Sequence, residues 1–243
     1  VQTASWGFAE SWRWAVDRVE NPQLVQNIMS TLESVYIDSS RKSSIHMTDL
    51  IYCLTKSYFD KTDPLPPTPQ EVLLFSVGVG LQRILIPPDR DAETVVVGGV
   101  VCSPDFISVA GVMAELKTTR MSSVEKNKES GVRQAKEFPA TWVEQMMGYC
   151  YASVVAESGL YEYDMAVLHL MGNYAPPFPE LKGWRCSFST AEVESYWKYL
   201  MGRKEVLVQA VELKVRPRSF QWCKEWECEN CRYKMRCEVL SRE

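Results

Sequence analysis

The chain has 243 residues, 46% hydrophobic and 24% charged, with a formal net charge of −4. These values exclude a disordered tail, a collagen-like chain and a coiled coil, and at roughly 100–200 residues per domain they allow one large domain or one with a modest appendage. The acidic balance is unlike a sequence-independent DNA coat protein, so any nucleic-acid contact is expected to be local.

Residues 5–36 read as helical, with apolar residues at helical intervals and a break at Asn21-Pro22. A polar loop from Ser39 to Ser44 follows. Thr48 is then expected to cap a short helix, Asp49–Tyr58, which carries Cys53. A turn with four prolines, Asp63–Pro69, precedes an apolar helix from Gln70 to Leu85.

After Pro87-Pro88 the period changes. Glu93–Cys102, Phe106–Ala110 and Val112–Leu116 are short, valine-rich and separated by Gly or Pro, the pattern of a strand meander. Residues 120–137 are charged and read as a mobile connection. Thr141–Ser158 reads as a helix, Asp164–Met171 as a buried strand and Leu181–Phe188 as an edge strand. Two further helices are expected, Thr190–Tyr199 with Thr190 as its cap and Lys204–Lys214. This order predicts a three-layer α/β core around a small sheet.

No apolar run approaches the roughly 18 residues of a membrane helix. No basic flank leads into an apolar core at the N-terminus, which sets the expectation of a cytoplasmic protein with no membrane contact.

Glu-Leu-Lys occurs three times, at Glu115–Lys117, Glu180–Lys182 and Glu212–Lys214. Only the first closes a valine-rich strand and has an aspartate, Asp105, ten residues upstream. Carboxylates on neighbouring strands can converge on one divalent cation, and the Leu116 carbonyl can add a third oxygen. Lys117 leaves the strand on the same face as Glu115 and can orient a metal-held water. The plainer reading is a surface Glu and Lys on an edge strand. Gln145 and Tyr149, four apart on the following helix, share a face and could bind a phosphate or stack on a base. They could equally be ordinary residues of an amphipathic helix.

Four of the eight cysteines stand singly, whereas Cys223, Cys228, Cys231 and Cys237 crowd the C-terminus. Cys228-x2-Cys231 is chelating geometry for zinc or an iron–sulfur cluster. The spacing leaves two further sets open. Cys223 would complete a local zinc knot, whereas Cys53 would tie the C-terminus to the N-terminal helices. From Lys214 to Arg236 there are seven Lys/Arg against three Glu, a candidate DNA-facing surface. Trp222, Trp226 and Tyr233 lie among them as stacking platforms or as packing.

The order of Cys53, Asp105, Glu115-Leu116-Lys117, Gln145-x3-Tyr149 and Cys228-x2-Cys231-x5-Cys237 resembles the iron–sulfur branch of the RecB-like PD-(D/E)XK nucleases. That branch includes the CRISPR-associated Cas-four exonucleases, exonuclease V and the AddB nuclease domain. The resemblance runs from about residue 45 to 237, leaving residues 1–44 as an N-terminal helical extension whose Trp6, Trp12 and Trp14 suggest a docking surface or additional core. It implies a restriction-endonuclease-like α/β core, a small mixed sheet flanked by helices, with an iron–sulfur-stapled helical part.

The resemblance implies that Cys53, Cys228, Cys231 and Cys237 hold a [4Fe–4S] cluster, with Cys223 a bystander. It also implies that Asp105, Glu115 and the Leu116 carbonyl bind Mg²⁺ or Mn²⁺, and that Lys117, Gln145 and Tyr149 complete the catalytic set. The family usually places a metal-ligating histidine as G-x3-H on the helix before the sheet. Here Gly78-Val-Gly-Leu-Gln82 puts Gln82 in that slot, a poorer ligand for Mn²⁺ than imidazole. The expected activity is a metal-dependent DNA exonuclease acting on single-stranded ends, working with a helicase or a CRISPR-adaptation partner. The alternatives are a catalytically weak DNA-binding or scaffold protein on the same fold, and a zinc module built on Cys223.

Overall fold

The computed structural model describes residues 20–36, 43–127, 131–171, 178–217, 223–229 and 231–240. Trp6, Trp12, Trp14 and Trp222 lie outside the described residues. So do most of the polar loop before Ser43 and the helical pattern before Glu20.

The first helix, α1 (Pro22–Tyr36), packs against α4 (Pro69–Leu85). Between them the segment read as one helix is two: α2 (Met47–Ile51) and α3 (Leu54–Thr62). Thr48 lies inside α2 and is not its cap. The residue before the helix is His46, whose backbone N–H donates to Asp49 Oδ2 at 2.9 Å. The break at Tyr52-Cys53 has a tertiary cause. The buried Arg203 guanidinium takes the carbonyls of Leu50 and Tyr52, the latter at 2.6 Å. The Cys53 N–H turns to Glu227 Oε2 at 2.6 Å. Helix α4 begins one residue earlier than expected, because Thr68 and Glu71 form a reciprocal cap ahead of Pro69. Although α4 is mostly apolar, only Val72 on it is buried.

The expected meander is split between two sheets. β1 (Val95–Val97) and β2 (Val100–Cys102) form a separate hairpin. Its turn, Gly98-Gly99, has φ of 56° and 72°, which side chains rarely adopt. β3 (Phe106–Ile107) and β4 (Met113–Thr119) belong to the central sheet, with β7 (Leu160–His169) and β8 (Glu180–Ser189), in the order β3-β4-β7-β8. The β4–β7 pair is parallel and the other two are antiparallel. A parallel pair needs a crossover, supplied by α5 (Ala140–Cys150). The charged connection before α5 carries a third hairpin, β5 (Val124–Lys126) with β6 (Arg133–Ala135), in place of the expected irregular stretch.

α5 ends eight residues before the expected boundary. The Ser153 hydroxyl donates to the Cys150 carbonyl at 2.8 Å, and Gly159 then turns the chain at φ 78° into β7. The two helices expected after β8 are one, α6 (Thr190–Leu213). Its cap is Ser189, which exchanges hydrogen bonds with Glu192 at 2.8 and 3.3 Å. Two short helices, α7 (Glu225–Glu229) and α8 (Lys234–Leu240), carry the cysteine-rich tail.

On β7 the inward residues Tyr163, Met165, Val167 and His169 are buried and their neighbours only half-buried. That buried face meets α5 and α6, with Met47, Leu50, Leu54, Met146, Leu200 and Leu207 filling the interior. The opposite face, with Leu116, Ala166 and Leu168, is half-buried. The protein is therefore a mixed α/β fold with a small central sheet and flanking helices, one face covered more fully than the other. Among the described residues no helix is long and apolar enough to cross a membrane.

Candidate functional site

The β3–β4 hairpin sets Asp105 against Glu115 by register. Phe106 pairs with Ala114, so the residue before β3 falls opposite the one after Ala114. The Asp105 N–H donates to the Ala114 carbonyl at 3.2 Å, and the Leu116 N–H donates to Asp105 Oδ2 at 2.8 Å. Within a strand, the N–H and C=O of one residue face the same neighbour. The Leu116 carbonyl thus faces the Asp105 side, where β3 has not yet begun.

Glu115 and Lys117 lie on the buried face, in register with Met165 and Val167 of β7. Glu115 is only 4% exposed. Its Oε1 accepts from Lys117 Nζ at 2.5 Å and from Gln145 Nε2 at 2.9 Å. Its Oε2 accepts from the Tyr163 hydroxyl at 3.4 Å. Lys117 Nζ also donates to Gln145 Oε1 at 2.8 Å, and Gln145 Nε2 reaches the Tyr149 hydroxyl at 3.2 Å. Gln82, near the end of α4, donates its amide to Asp105 Oδ1 at 3.2 Å. The structure therefore brings together the seven residues singled out in the sequence for this site: Gln82, Asp105, Glu115, Leu116, Lys117, Gln145 and Tyr149.

Burial disfavours charge here. It pushes the Glu115 carboxyl up to about 7, with the Asp105 charge adding to the rise and Lys117 and the Tyr163 hydroxyl opposing it. Burial also raises Asp105, against the Leu116 N–H, Lys117 and Gln82, which all favour its anion. Tyr149 and Tyr163 are raised as well, first by burial and next by the Glu115 carboxylate. A divalent cation would relieve the strain of two carboxylates in one poorly solvated place. Asp105, Glu115 and the Leu116 carbonyl are hard oxygen donors suited to Mg²⁺ or Mn²⁺.

Sequence reasoning missed Tyr163 and Tyr52. Alternation along β7 places Tyr163 inward, so a signal for it existed. Tyr52 stands beside Thr141 and feels the charges of Lys117 and Glu115, although burial is what chiefly raises its hydroxyl. That position depends on the α2–α3 break, which no local pattern announces.

The cysteines form a second group. All eight are free thiols. Cys53, at the α2–α3 joint, lies against the tail through its N–H, which donates to Glu227 Oε2. Cys231 is raised by burial, with Cys53 and Cys228 beside it adding to the rise. Cys237 is pushed up to about 11 by burial, then by Cys231, Cys53 and Cys228. Cys223 is no bystander in space: its Sγ lies 3.3 Å from Cys228 Sγ, and burial, Cys228 and Cys53 all raise it. Cys223, Cys231 and Cys237 are half-buried and kept protonated chiefly by burial, which fits thiols that would exchange their protons for a metal. Among the described residues, no three or more His, Cys, Asp or Glu side chains are already arranged around a metal-binding point.

Three of the tail's cations are committed to ion pairs within the protein. Arg232 pairs with Asp60 at 2.5 Å and Glu71 at 3.4 Å, Arg236 with Asp63 at 3.0 Å and Lys224 with Glu144 at 2.7 Å. Tyr233, expected as packing or as a stacking platform, is fully buried against Phe59 with ring centroids 5.1 Å apart. Trp226 is 55% exposed and meets Tyr52 edge-on. Of the basic stretch read as a DNA surface, Arg232 and Arg236 take part in the closure between the chain ends, and Lys224 ties the tail to α5.

No protein-family profile matches the sequence, and no curated protein matches it significantly. Among solved structures, the chain is similar to SSO0001, a Sulfolobus protein, at 15% identity and a TM-score of 0.51. The match covers 88% of this chain and 95% of that one. At this identity the likeness speaks for the fold alone.

Proposed function

We propose that the protein is a metal-dependent DNA nuclease of the RecB-like PD-(D/E)XK kind, acting as an exonuclease on single-stranded ends. The observation that carries this reading is the buried Glu115 carboxylate, bound by Lys117 and Gln145 and set by strand register against Asp105. A protein gains little from burying Glu, Asp and Lys in one corner for stability alone, because desolvation offsets most of the attraction.

In this reading Asp105, Glu115 and the Leu116 carbonyl hold Mg²⁺ or Mn²⁺, which supplies charge stabilisation and an acidified water for phosphodiester hydrolysis. Lys117 orients that water and offsets phosphate charge, and Gln145 holds the Lys117 ammonium in place. Tyr149 and Tyr163 restrict the free rotation of Gln145 and Glu115. The thiol group at Cys53, Cys228, Cys231 and Cys237 holds a [4Fe–4S] cluster that ties the chain ends together. Unwinding of duplex DNA would fall to a helicase partner.

One observation favours the weaker-enzyme alternative. Both Asp105 oxygens already accept hydrogen bonds, one of them from Gln82. A cation must displace or share that amide. The deciding test is digestion of end-labelled single-stranded DNA by anaerobically purified protein in Mn²⁺, beside the Glu115→Ala variant. Degradation by the wild type alone supports the nuclease. Intact DNA with both, despite DNA binding, moves the reading to the binding protein.

A further inference from the structure

Helix α5 carries Gln145, which joins Lys117 to Glu115. The residue before it, Glu144, is held by the C-terminal tail. Lys224 Nζ donates to both Glu144 oxygens, at 2.9 and 2.7 Å, across 80 residues of chain. The next tail residues grip the α2–α3 joint. Trp226 meets Tyr52 edge-on with ring centroids 6.5 Å apart, and Glu227 Oε2 takes the Cys53 N–H at 2.6 Å. Tyr52 is in turn hydrogen-bonded to the buried Thr141 of α5. Glu144 and Gln145 stand three and four residues after Thr141, one helical turn on, so the three are neighbours on the helix surface. The tail thus holds the turn of α5 that presents Gln145 to the carboxylate centre.

Stability alone gives little reason for the Lys224–Glu144 pair. Its side chains are 36% and 24% exposed, and ion pairs open to solvent contribute little. What the pair restricts is the roll and slide of α5. Gln145 needs that restriction, because its nitrogen must meet Glu115 at 2.9 Å while its oxygen meets Lys117 at 2.8 Å.

We propose that Lys224 is a positioning residue of the carboxylate centre: acting through Glu144, it sets where α5 presents Gln145 to Lys117 and Glu115. This rests on the reading of that centre as the place of cleavage, and it involves neither the thiols nor any metal they would hold.

The test makes two measurements on the full chain. One is the Gln145 side-chain amide signal in heteronuclear NMR of metal-free protein, assigned by its loss in Gln145→Glu; it needs no activity. The other is kcat and KM on end-labelled single-stranded DNA. Lys224→Ala is expected to move the amide signal and to lower kcat roughly tenfold to a hundredfold, with KM within a few-fold of wild type. Its denaturant midpoint should stay near wild type. Lys224→Arg, which can also hold both oxygens, should keep both readouts. The exchanged pair Lys224→Glu/Glu144→Lys should recover most of what Lys224→Glu loses. Arg236→Gln, which breaks the tail's ion pair to Asp63 instead, should change neither. An unmoved amide signal in Lys224→Ala, or an unchanged kcat beside an active wild type, would overturn the proposal. So would a rise in KM alone, the mark of a lysine that contacts DNA itself, or a lowered midpoint with no recovery in the exchanged pair, the mark of a merely structural one. A wild type that leaves DNA intact overturns the nuclease reading; the placement of Gln145 by Lys224 then stands or falls by the amide signal and its recovery in the exchanged pair.

Discussion

Lys117 Nζ lies 2.5 Å from Glu115 Oε1, and the two side chains leave the same face of one strand. Two residues of separation in an extended chain force that shared face. The pair sits beneath α5, where Gln145 accepts from the ammonium and donates to the carboxylate. Before metal arrives, Lys117 is the nearest counter-charge to Glu115. A cation bound as proposed would displace Lys117 from Glu115 and free it to act on water or phosphate.

This exchange predicts a pH dependence. In the metal-free protein the Glu115 carboxyl sits near 7, so at pH 6 it is mostly protonated and a cation must expel the proton. Mn²⁺ affinity should rise with pH up to about 7 and then level. Calorimetry at pH 6 in two buffers of different ionisation enthalpy should show release approaching about one proton per site. No proton release, with flat affinity, would remove Glu115 from the metal site. Stability runs the other way. The folded carboxyl binds its proton more tightly than the unfolded one, so the metal-free protein should lose stability as pH rises from about 4.5 towards 7. Glu115→Gln should flatten that slope.

Lys117→Met should leave Mn²⁺ binding within a few-fold of wild type, because lysine donates no lone pair while charged. Cleavage should fall by about 10²–10⁴. Retained cleavage with the variant would reduce Lys117 to a counter-charge.

Gln145→Leu strips donors from a buried carboxylate and an acceptor from Lys117. We expect a stability loss of about 1–3 kcal/mol in denaturant titrations, together with reduced cleavage. A variant as stable and active as wild type would mean that the Gln145 bridge is incidental.

Gln82 already reaches Asp105, with 3.2 Å between its amide and Oδ1. An imidazole placed there by Gln82→His would offer a nitrogen to the same cation, and cleavage at limiting Mn²⁺ should improve. Unchanged activity across a Mn²⁺ titration would show that this slot does not contribute to the metal site.

The chain ends are closed by more than sulfur. Asp60 accepts from Arg232 and from the Tyr233 hydroxyl, which in turn accepts the Leu65 N–H at 3.0 Å, and Thr55 donates to the Pro217 carbonyl at 2.7 Å. If the thiols hold a cluster as proposed, Cys231→Ala should lose it but keep much of its helical circular dichroism. Asp60→Ala, which leaves Arg232 and Tyr233 short of a partner, should cost about 1–3 kcal/mol with the cluster still present. Complete unfolding of Cys231→Ala would assign the closure to sulfur alone.

Several elements were legible before any coordinates. The apolar helix at Gln70–Leu85 and the edge strand at Leu181–Phe188 follow from apolar period, a signal set by neighbours a few residues away. The reciprocal cap at Thr68 and Glu71 and the Gly98-Gly99 turn are equally local, but sequence reasoning passed over them. The residues of the carboxylate centre were legible for a related reason: strand period places Glu115 with Lys117, and helix period places Gln145 with Tyr149. What joins those two pairs is 28 residues of chain between Lys117 and Gln145, a separation on which periodicity says nothing.

Other failures of local reading have a tertiary cause. The break between α2 and α3 exists because Arg203, 151 residues from Tyr52, takes its carbonyl. The tail's cations read as a surface charge until Asp60, Glu71, Asp63 and Glu144 are brought to them. By itself the sequence determined which residue types could do chemistry and which shared a face, because dihedral period acts over a few residues. Only the tertiary structure decided which charges are buried, which are paired and which thiols meet, because desolvation and pairing depend on what distant chain arrives alongside.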